Sequence, residues 1–200
     1  MLKAPVEGEV KTRLAKDIGN VAATEIYKAM AEKQVREIPE GWSVEIRVTP
    51  DDKIDSVRDW LGDRVDYEPQ GGGDLGERMA RAVEDAFWKG ADEVILLGGD
   101  CPAITTAVLQ EAELRLEETD LVIGPSLDGG YYLLGMSLGD RSLFDDVDWG
   151  SERVYGQTMD RIEQAGLDAA VLEKLEDVDD LESLKRQQEW LDAEMMGRLL

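Results

Sequence analysis

Apolar residues along this chain recur with two periods, and the two alternate. In "NVAATEIYKAMAEKQ", Ala23, Ile26, Tyr27, Met30 and Gln34 share one face of a 3.6-residue repeat, which predicts a helix with Asn20 as its cap. "SVEIRVTP" switches to a repeat of two: Val44, Ile46 and Val48 alternate with polar residues, predicting a strand that stops at Pro50. "DSVRDWLGD" predicts a short helix ended by Gly62, and "RVDYEP" a short strand. The strongest helical pattern is "DLGERMARAVEDAFWKG", where Leu75, Met79, Ala82, Val83, Ala86 and Phe87 form one apolar stripe. Asp74 and Glu77 stand in capping-box register at its start, and Gly90 ends it. "EVILLGGD" follows as an unbroken apolar run of strand length, the pattern of a strand covered on both faces. "TTAVLQEAELRLEET" predicts another helix, with Thr105 or Thr106 placed to cap it, and "DLVIGP" and "GGYYLLGM" two more strands. "SERVYGQTMDRIEQAG" and "DDLESLKRQQEWLDAEMM" predict the last two helices, with strand-like "DAAVLEKL" before the final one.

Strand and helix in alternation predict an α/β domain with a mostly parallel sheet. No linker, repeat or low-complexity segment breaks the pattern, so one domain over residues 1–200 is expected.

Composition narrows the chemistry. The 200 residues include 45 acids and 22 bases, a net charge of −23. Such a surface repels phosphate backbones and anionic lipid, so neither nucleic acid nor membrane is expected as a partner. General solubility and adaptation to a salt-rich cytoplasm both account for the acidity. There is no histidine, which excludes a Ser-His-Asp triad, a Cys-His pair and a His-ligated metal. The single cysteine, Cys101, excludes disulfides within the chain and Cys-rich metal sites. Carboxylates, Lys, Arg, hydroxyls, backbone amides and hard metal ions remain, an inventory expected of a cytoplasmic protein.

Gly71, Gly73 and Gly76 match G-x-G-x-x-G and lead into a helix, which raises the question of a dinucleotide turn. That turn belongs after the first buried strand of its fold. Here it follows polar "RVDYEPQ", and no acidic residue stands at a strand end about 20 positions on. Gly71, Gly72 and Gly73 read better as a loop whose backbone approaches a flat ligand closely, or as a tight turn.

Ligands of open α/β sheets sit outside the carboxyl ends of the strands. Asp100 comes directly after the apolar run "VILLGG", where a carboxylate favours a divalent cation as partner. Asp177 and Asp179 flank Val178; in extended backbone the two share a face and can address one ion, with Asp180 free to cap the final helix. Lys3, Lys11, Arg13 and Lys16 form the one basic island, suited to phosphate or to charge balance. No Walker pattern occurs, so a P-loop enzyme is excluded. Metal-assisted transfer from an activated phosphate compound needs little beyond positioning and charge neutralisation.

"KAPVEGEVKTRL", "QGGGDLGERM", "GGDCPAIT", "GPSLDGGYYLLGM" and "EDVDDLESL", in this order over nearly the whole chain, resemble the GT-A-superfamily transferases. Within that superfamily the likeness is to the selenodomain-associated, nucleotide-diphospho-sugar transferase-like group. The wider superfamily includes the molybdenum-cofactor and 2-phospholactate guanylyltransferases and the sugar-nucleotide glycosyltransferases. The resemblance implies a three-layer, Rossmann-like α/β/α sandwich that binds a nucleotide. It implies that Lys3, Lys11 and Arg13 hold the nucleotide phosphates, and that Gln70, Gly71, Gly72 and Gly73, with Asp74, form the rest of the nucleotide site at the base. Asp100, with Asp177 and Asp179, would hold Mg²⁺ or Mn²⁺. Asp128 would orient a hydroxyl of the acceptor, a small molecule lying in a pocket lined by Gly129, Gly130 and Tyr131. Two departures stand out. Relatives carry a full apolar strand before K-A-P where this chain has Met1 and Leu2, so either the start lies upstream or the strand is short. The acidic motif reads D-C-P, not D-x-D.

The expected function is metal-dependent glycosyl or nucleotidyl transfer from a sugar nucleotide or nucleoside triphosphate. The competing expectation is a nucleotide-binding regulatory module without catalysis, with a nicotinamide oxidoreductase a distant third.

Overall fold

The computed structural model describes residues 1–191. Among these residues seven strands and seven helices follow one another: the six of each that the two periods predict, preceded by a two-residue strand and a seven-residue helix that they do not. β1 (Leu2–Lys3) leads to α1 (Thr12–Ile18) and α2 (Asn20–Glu37); β2 (Glu45–Thr49) to α3 (Ile54–Leu61); β3 (Asp66–Pro69) to α4 (Leu75–Trp88). β4 (Val94–Leu97) leads to α5 (Thr106–Leu116), then β5 (Leu121–Pro125) and β6 (Tyr131–Met136) run in succession. α6 (Val154–Ala165), β7 (Ala169–Val171) and α7 (Leu181–Arg186) complete the order, followed by a 3₁₀ turn at Gln188–Trp190. The expected final helix is thus realised in its first part; the portion from residue 192 lies outside the described residues.

β1, β2 and β3 pair in parallel, with Leu2 opposite Val48 and Ile46 opposite Tyr67. The second group is ordered β4-β6-β5-β7, where β6 runs against both neighbours and β7 pairs parallel to β5. The two groups meet at one bond, from the Met1 ammonium to the Leu97 carbonyl at 2.9 Å.

Side-chain alternation places the layers. Leu121, Ile123, Leu134 and Met136 send one face of β5 and β6 against Met79 and Val83 of α4 and Ile162 of α6. Val122 and Leu133 face the other way, onto Leu109, Ala112 and Leu116 of α5. Leu14, Ile26, Met30, Val48 and Val57 form a third apolar group beneath α1, α2 and α3. Cα–Cβ alternation at period two is what lets one sheet serve two helix layers.

Local signals are honoured with few exceptions. The capping box of α4 is complete: Asp74 Oδ1 accepts from Glu77 N at 2.9 Å, and Glu77 Oε2 accepts from Asp74 N at 2.9 Å. Thr105 caps α5 and Asp180 caps α7. Asn20 is the first helical residue of α2 and not its cap; Gly19, at φ 85°, holds that position. Leu75 is exposed, because the buried stripe of α4 starts at Gly76. Arg47 is buried although it alternates with Ile46 and Val48, since ion pairs with Glu45 and Asp85 take its charge. The largest departure is β4: its four apolar residues are all half-buried, where cover on both faces is expected. β6 guards one edge of it, but on the other side the chain offers β4 a partner at Met1 alone.

Losing a capping carboxylate typically costs about 1 kcal/mol, or roughly 2–4 °C in a chain of this size. Asp74→Ala is therefore expected to lower the melting temperature by about 3 °C in a thermal-unfolding measurement. No change would mean that the box contributes nothing to α4.

Candidate functional site

The segments leaving β1 and β4, and the one after β7, converge beyond the carboxyl end of β1. Lys11 lies at the entry to α1 with φ 44°, a left-handed conformation uncommon for a residue with a Cβ. Its Nζ donates to Asp100 Oδ2 at 3.0 Å and to Asp179 Oδ1 at 2.9 Å, and only 5% of the side chain is exposed. Burial alone would lower the pKa of this amine; Asp100 and Asp179 outweigh it and hold the amine above its ordinary value. Lys11 is a fixed, buried positive charge.

Asp100 follows β4 and fixes the third segment through its own backbone, its carbonyl accepting from Val178 N at 3.0 Å. Val178 is fully buried, so the flanking Asp177 and Asp179 are turned away from the core. Asp179 is steadied by its N–H, which donates to Ser183 Oγ at 3.0 Å, and by Arg13 Nη1 at 3.8 Å. Burial pushes the Asp177 carboxyl up to about 7, and the negative charges of Asp100, Asp128 and Asp179 add to that against Lys11.

The turn between β5 and β6 stands on the same side. Asp128 Oδ1 accepts from Gly130 N at 2.9 Å and from Ser126 Oγ, which closes the turn on itself. Gly129 (φ 91°) lies against the backbone of Glu152, leaving no room for a Cβ, and its carbonyl accepts from Tyr155 N at 2.9 Å. Glycine is required there on both counts.

Several expected site residues are placed differently. The Gln70 side chain turns inward, its amide donating to the carbonyls of Leu2 at 3.2 Å and Arg47 at 3.0 Å, so it ties β1 to β2. Tyr131 lies edge-on to Trp149, ring centroids 6.5 Å apart, packed against the core of β5, β6 and α4. The Asp74 carboxylate is engaged as a helix cap. Lys3 is exposed with Nζ on the Glu9 carbonyl at 2.8 Å, and Arg13 is 77% exposed; both are available to a solvent-borne anion. Cys101 is fully buried, and burial pushes its thiol up to about 12.

Two residues that sequence reasoning passed over shape the glycine loop. Arg81 donates to the carbonyls of Gln70 and, at 3.0 Å, Gly72; Arg78 Nε donates to the Gly73 carbonyl at 2.9 Å. A Cβ on Gly71 would stand 2.7 Å from the Arg81 guanidinium. The signal was the spacing of three between the arginines, which puts both on the face of α4 next to its N-terminus.

The donor set fits a hard divalent cation in kind: Asp100, Asp128, Asp177 and Asp179 offer carboxylate oxygens against one buried cation. Among the described residues no three acidic side chains form a ready-made ligand group. Lys11 Nζ bridges Asp100 and Asp179 instead.

Comparison with known proteins gives this geometry a family. The bacterial family described as "Uncharacterized protein conserved in bacteria (DUF2064)" matches residues 34–151, more than half of the chain. The chain belongs to this family. A structure of a proposed nucleotide-diphospho-sugar transferase from Desulfovibrio desulfuricans G20 is 34% identical, with a TM-score of 0.88 over 94% of this chain and 85% of that one. The DUF2064 chain therefore has the nucleotide-diphospho-sugar transferase fold. The same fold, at the level of architecture alone, recurs in 4-diphosphocytidyl-2C-methyl-D-erythritol synthase from Anaerococcus prevotii DSM 20548: 11% identity, TM-score 0.58, 82% of this chain and 85% of that one. It recurs again in CMP:2-keto-3-deoxy-manno-octonic acid synthetase, determined with CTP: 13% identity, TM-score 0.50, 99% of this chain and 97% of that one. No curated protein matches the chain in sequence. Among the described residues, no helix is long and apolar enough to cross a membrane.

The Asp177 carboxyl binds its proton more firmly folded, near 7, than at its ordinary 3.8, so ionising it opposes folding. That penalty is absent below 3.8 and complete above 7. Asp177→Asn is expected to melt several degrees higher than the parent at pH 8 without divalent ions, with the gap closing by about pH 4. A gap of equal size at both pH values would contradict the assignment.

Proposed function

We propose that this protein is a Mg²⁺- or Mn²⁺-dependent transferase that moves a glycosyl or nucleotidyl group from a nucleotide-activated donor to a small acceptor. The observation that carries the reading is the convergence of Lys11, Asp100, Asp177 and Asp179 at the strand ends of a nucleotide-diphospho-sugar transferase fold. The related protein of known structure, described by name as such a transferase, supports a nucleotide donor.

In this reading Lys3, Lys11 and Arg13 meet the donor phosphates, and Gly71, Gly72 and Gly73 let the base approach the loop backbone. Asp74 contributes by fixing the start of α4. Asp100, Asp177 and Asp179 hold the divalent ion, which would neutralise charge on the phosphates. Asp128 orients an acceptor hydroxyl over Gly129 and Gly130. A second reading, a nucleotide-binding module without catalysis, is favoured by one observation: an ammonium already bridges Asp100 and Asp179.

Because a ligand that binds the native state raises its stability, thermal shift in the presence of nucleoside triphosphates, UDP- and GDP-sugars and NAD, with and without Mg²⁺ or Mn²⁺, reads donor binding directly. The expected result is a metal-dependent rise with one nucleotide class, removed by Asp100→Asn. An unchanged affinity in that variant overturns the metal assignment. Pyrophosphate release identifies nucleotidyl transfer, nucleoside diphosphate release glycosyl transfer; binding without turnover identifies the module.

Arg13→Ala, at an exposed position, is expected to weaken triphosphate binding about tenfold and leave the bare nucleoside unaffected, as loss of a charge-assisted contact does. Equal weakening of both ligands would remove Arg13 from the phosphate site.

A further inference from the structure

Asp100 and Asp179, which hold the divalent ion in the reading above, are engaged by the same side chains that the donor phosphates would use. Lys11 Nζ donates to Asp100 Oδ2 at 3.0 Å and to Asp179 Oδ1 at 2.9 Å. Arg13 Nη1 stands 3.8 Å from Asp179 Oδ2. A divalent ion meets carboxylate oxygens at about 2.0–2.6 Å. An ion and an ammonium on the same two oxygens would stand a few ångströms apart with like charge, so they compete for them. The remaining pair, Asp100 Oδ1 and Asp179 Oδ2, is already faced by Arg13 at its second member.

Backbone bonds hold this junction beside the amine, so the amine can leave while the carboxylates stay. The Asp100 carbonyl accepts from Val178 N at 3.0 Å, and Asp179 N donates to Ser183 Oγ at 3.0 Å. Lys11 is anchored through its own carbonyl, which accepts from Ala15 N at 2.8 Å in α1. Its ammonium ends a flexible four-carbon stem, which carries the charge elsewhere without moving the backbone. Lys3 and Arg13, both exposed, flank it in sequence and mark the phosphate side in the reading above.

We propose that Lys11 is an exchangeable occupant of the metal site: it pairs with Asp100 and Asp179 when no ion is bound there, and turns to the donor phosphates when a divalent ion takes those carboxylates. The proposal rests on the metal and phosphate assignments above and adds the link between them. The ion frees the amine and the phosphates receive it, so each ligand favours the other, equally in both directions. A permanently seated Lys11 would instead exclude the ion or force it beside the amine.

The test follows Mn²⁺ binding, through the electron paramagnetic resonance of the free ion, for the full chain and for Lys11→Met, which keeps most of the stem and removes the charge. Lys11→Met is expected to bind Mn²⁺ at least about tenfold more tightly than the parent, having lost an enclosed competitor. Lys3→Met removes an equal charge that touches neither carboxylate, and is expected to change the affinity by less than about twofold, its field being screened. Equal gains in the two variants would overturn the proposal. Binding by Lys11→Met alone would make Lys11 a permanent seal and overturn the exchange. Acetylation of the parent, read by peptide mass, keeps the test independent of how any variant folds. Saturating Mg²⁺ is expected to raise the rate at Lys11 several-fold and to leave Lys16, exposed on α1, unchanged. Added inorganic pyrophosphate is expected to protect Lys11 again. If Mn²⁺ binds but Mg²⁺ leaves the protection of Lys11 unaltered, the exchange is overturned and the metal reading stands. An equal rise at Lys16 would also overturn it, as loosening of the helix. Absence of Mn²⁺ binding in parent and variant alike would overturn the metal reading and the exchange with it.

Discussion

The arrangement at the strand ends depends on one buried ammonium. Lys11 Nζ joins residues 89 and 168 positions away in the chain, Asp100 and Asp179, and so draws the end of β4 and the segment after β7 to the start of α1. The ammonium is enclosed while both carboxylates are partly exposed, so removing either carboxylate leaves a buried positive charge less compensated. The Asp100 carbonyl to Val178 N bond acts beside it, so backbone and side chains fix the same junction. In a chain of net charge −23, a single enclosed cation facing several carboxylates is a point on which geometry and electrostatics both turn.

Much of the fold was legible because its signals are local. The helical stripes of α2 and α4, the capping pair Asp74 and Glu77, and Asp180 at the start of α7 act within a few residues of themselves. The shared side of Asp177 and Asp179 was legible too, because it needs only extended backbone and a buried Val178. What the local pattern does not record is set by distant segments. Gln70 turns inward because Leu2 and Arg47 offer it carbonyls, and those residues meet it only through the β1-β2-β3 pairing. Tyr131 lies in the core because Trp149 stands there to receive its ring. The half-burial of β4 depends on how far its neighbour extends, which no pattern within β4 records.

Other bases gather the acidic side chains into local groups. Arg47 and Lys89 gather Glu45, Glu68 and Asp85 about the outer end of β2. Arg186 fastens Glu176 just before the Asp177 segment, with its Nη2 at 2.6 Å from the carboxylate. Exposed pairs of this kind contribute little each, and salt weakens them. Their use here is positional, holding acidic segments in place next to a site that is itself acidic.

The two arginines of α4 also decide what the glycine loop has left to offer. Arg78 and Arg81 reach back from α4 to the carbonyls of Gln70, Gly72 and Gly73, and each of these oxygens keeps a second lone pair. The path of the loop is thus set from behind by a helix, and its outer surface is what remains to be met.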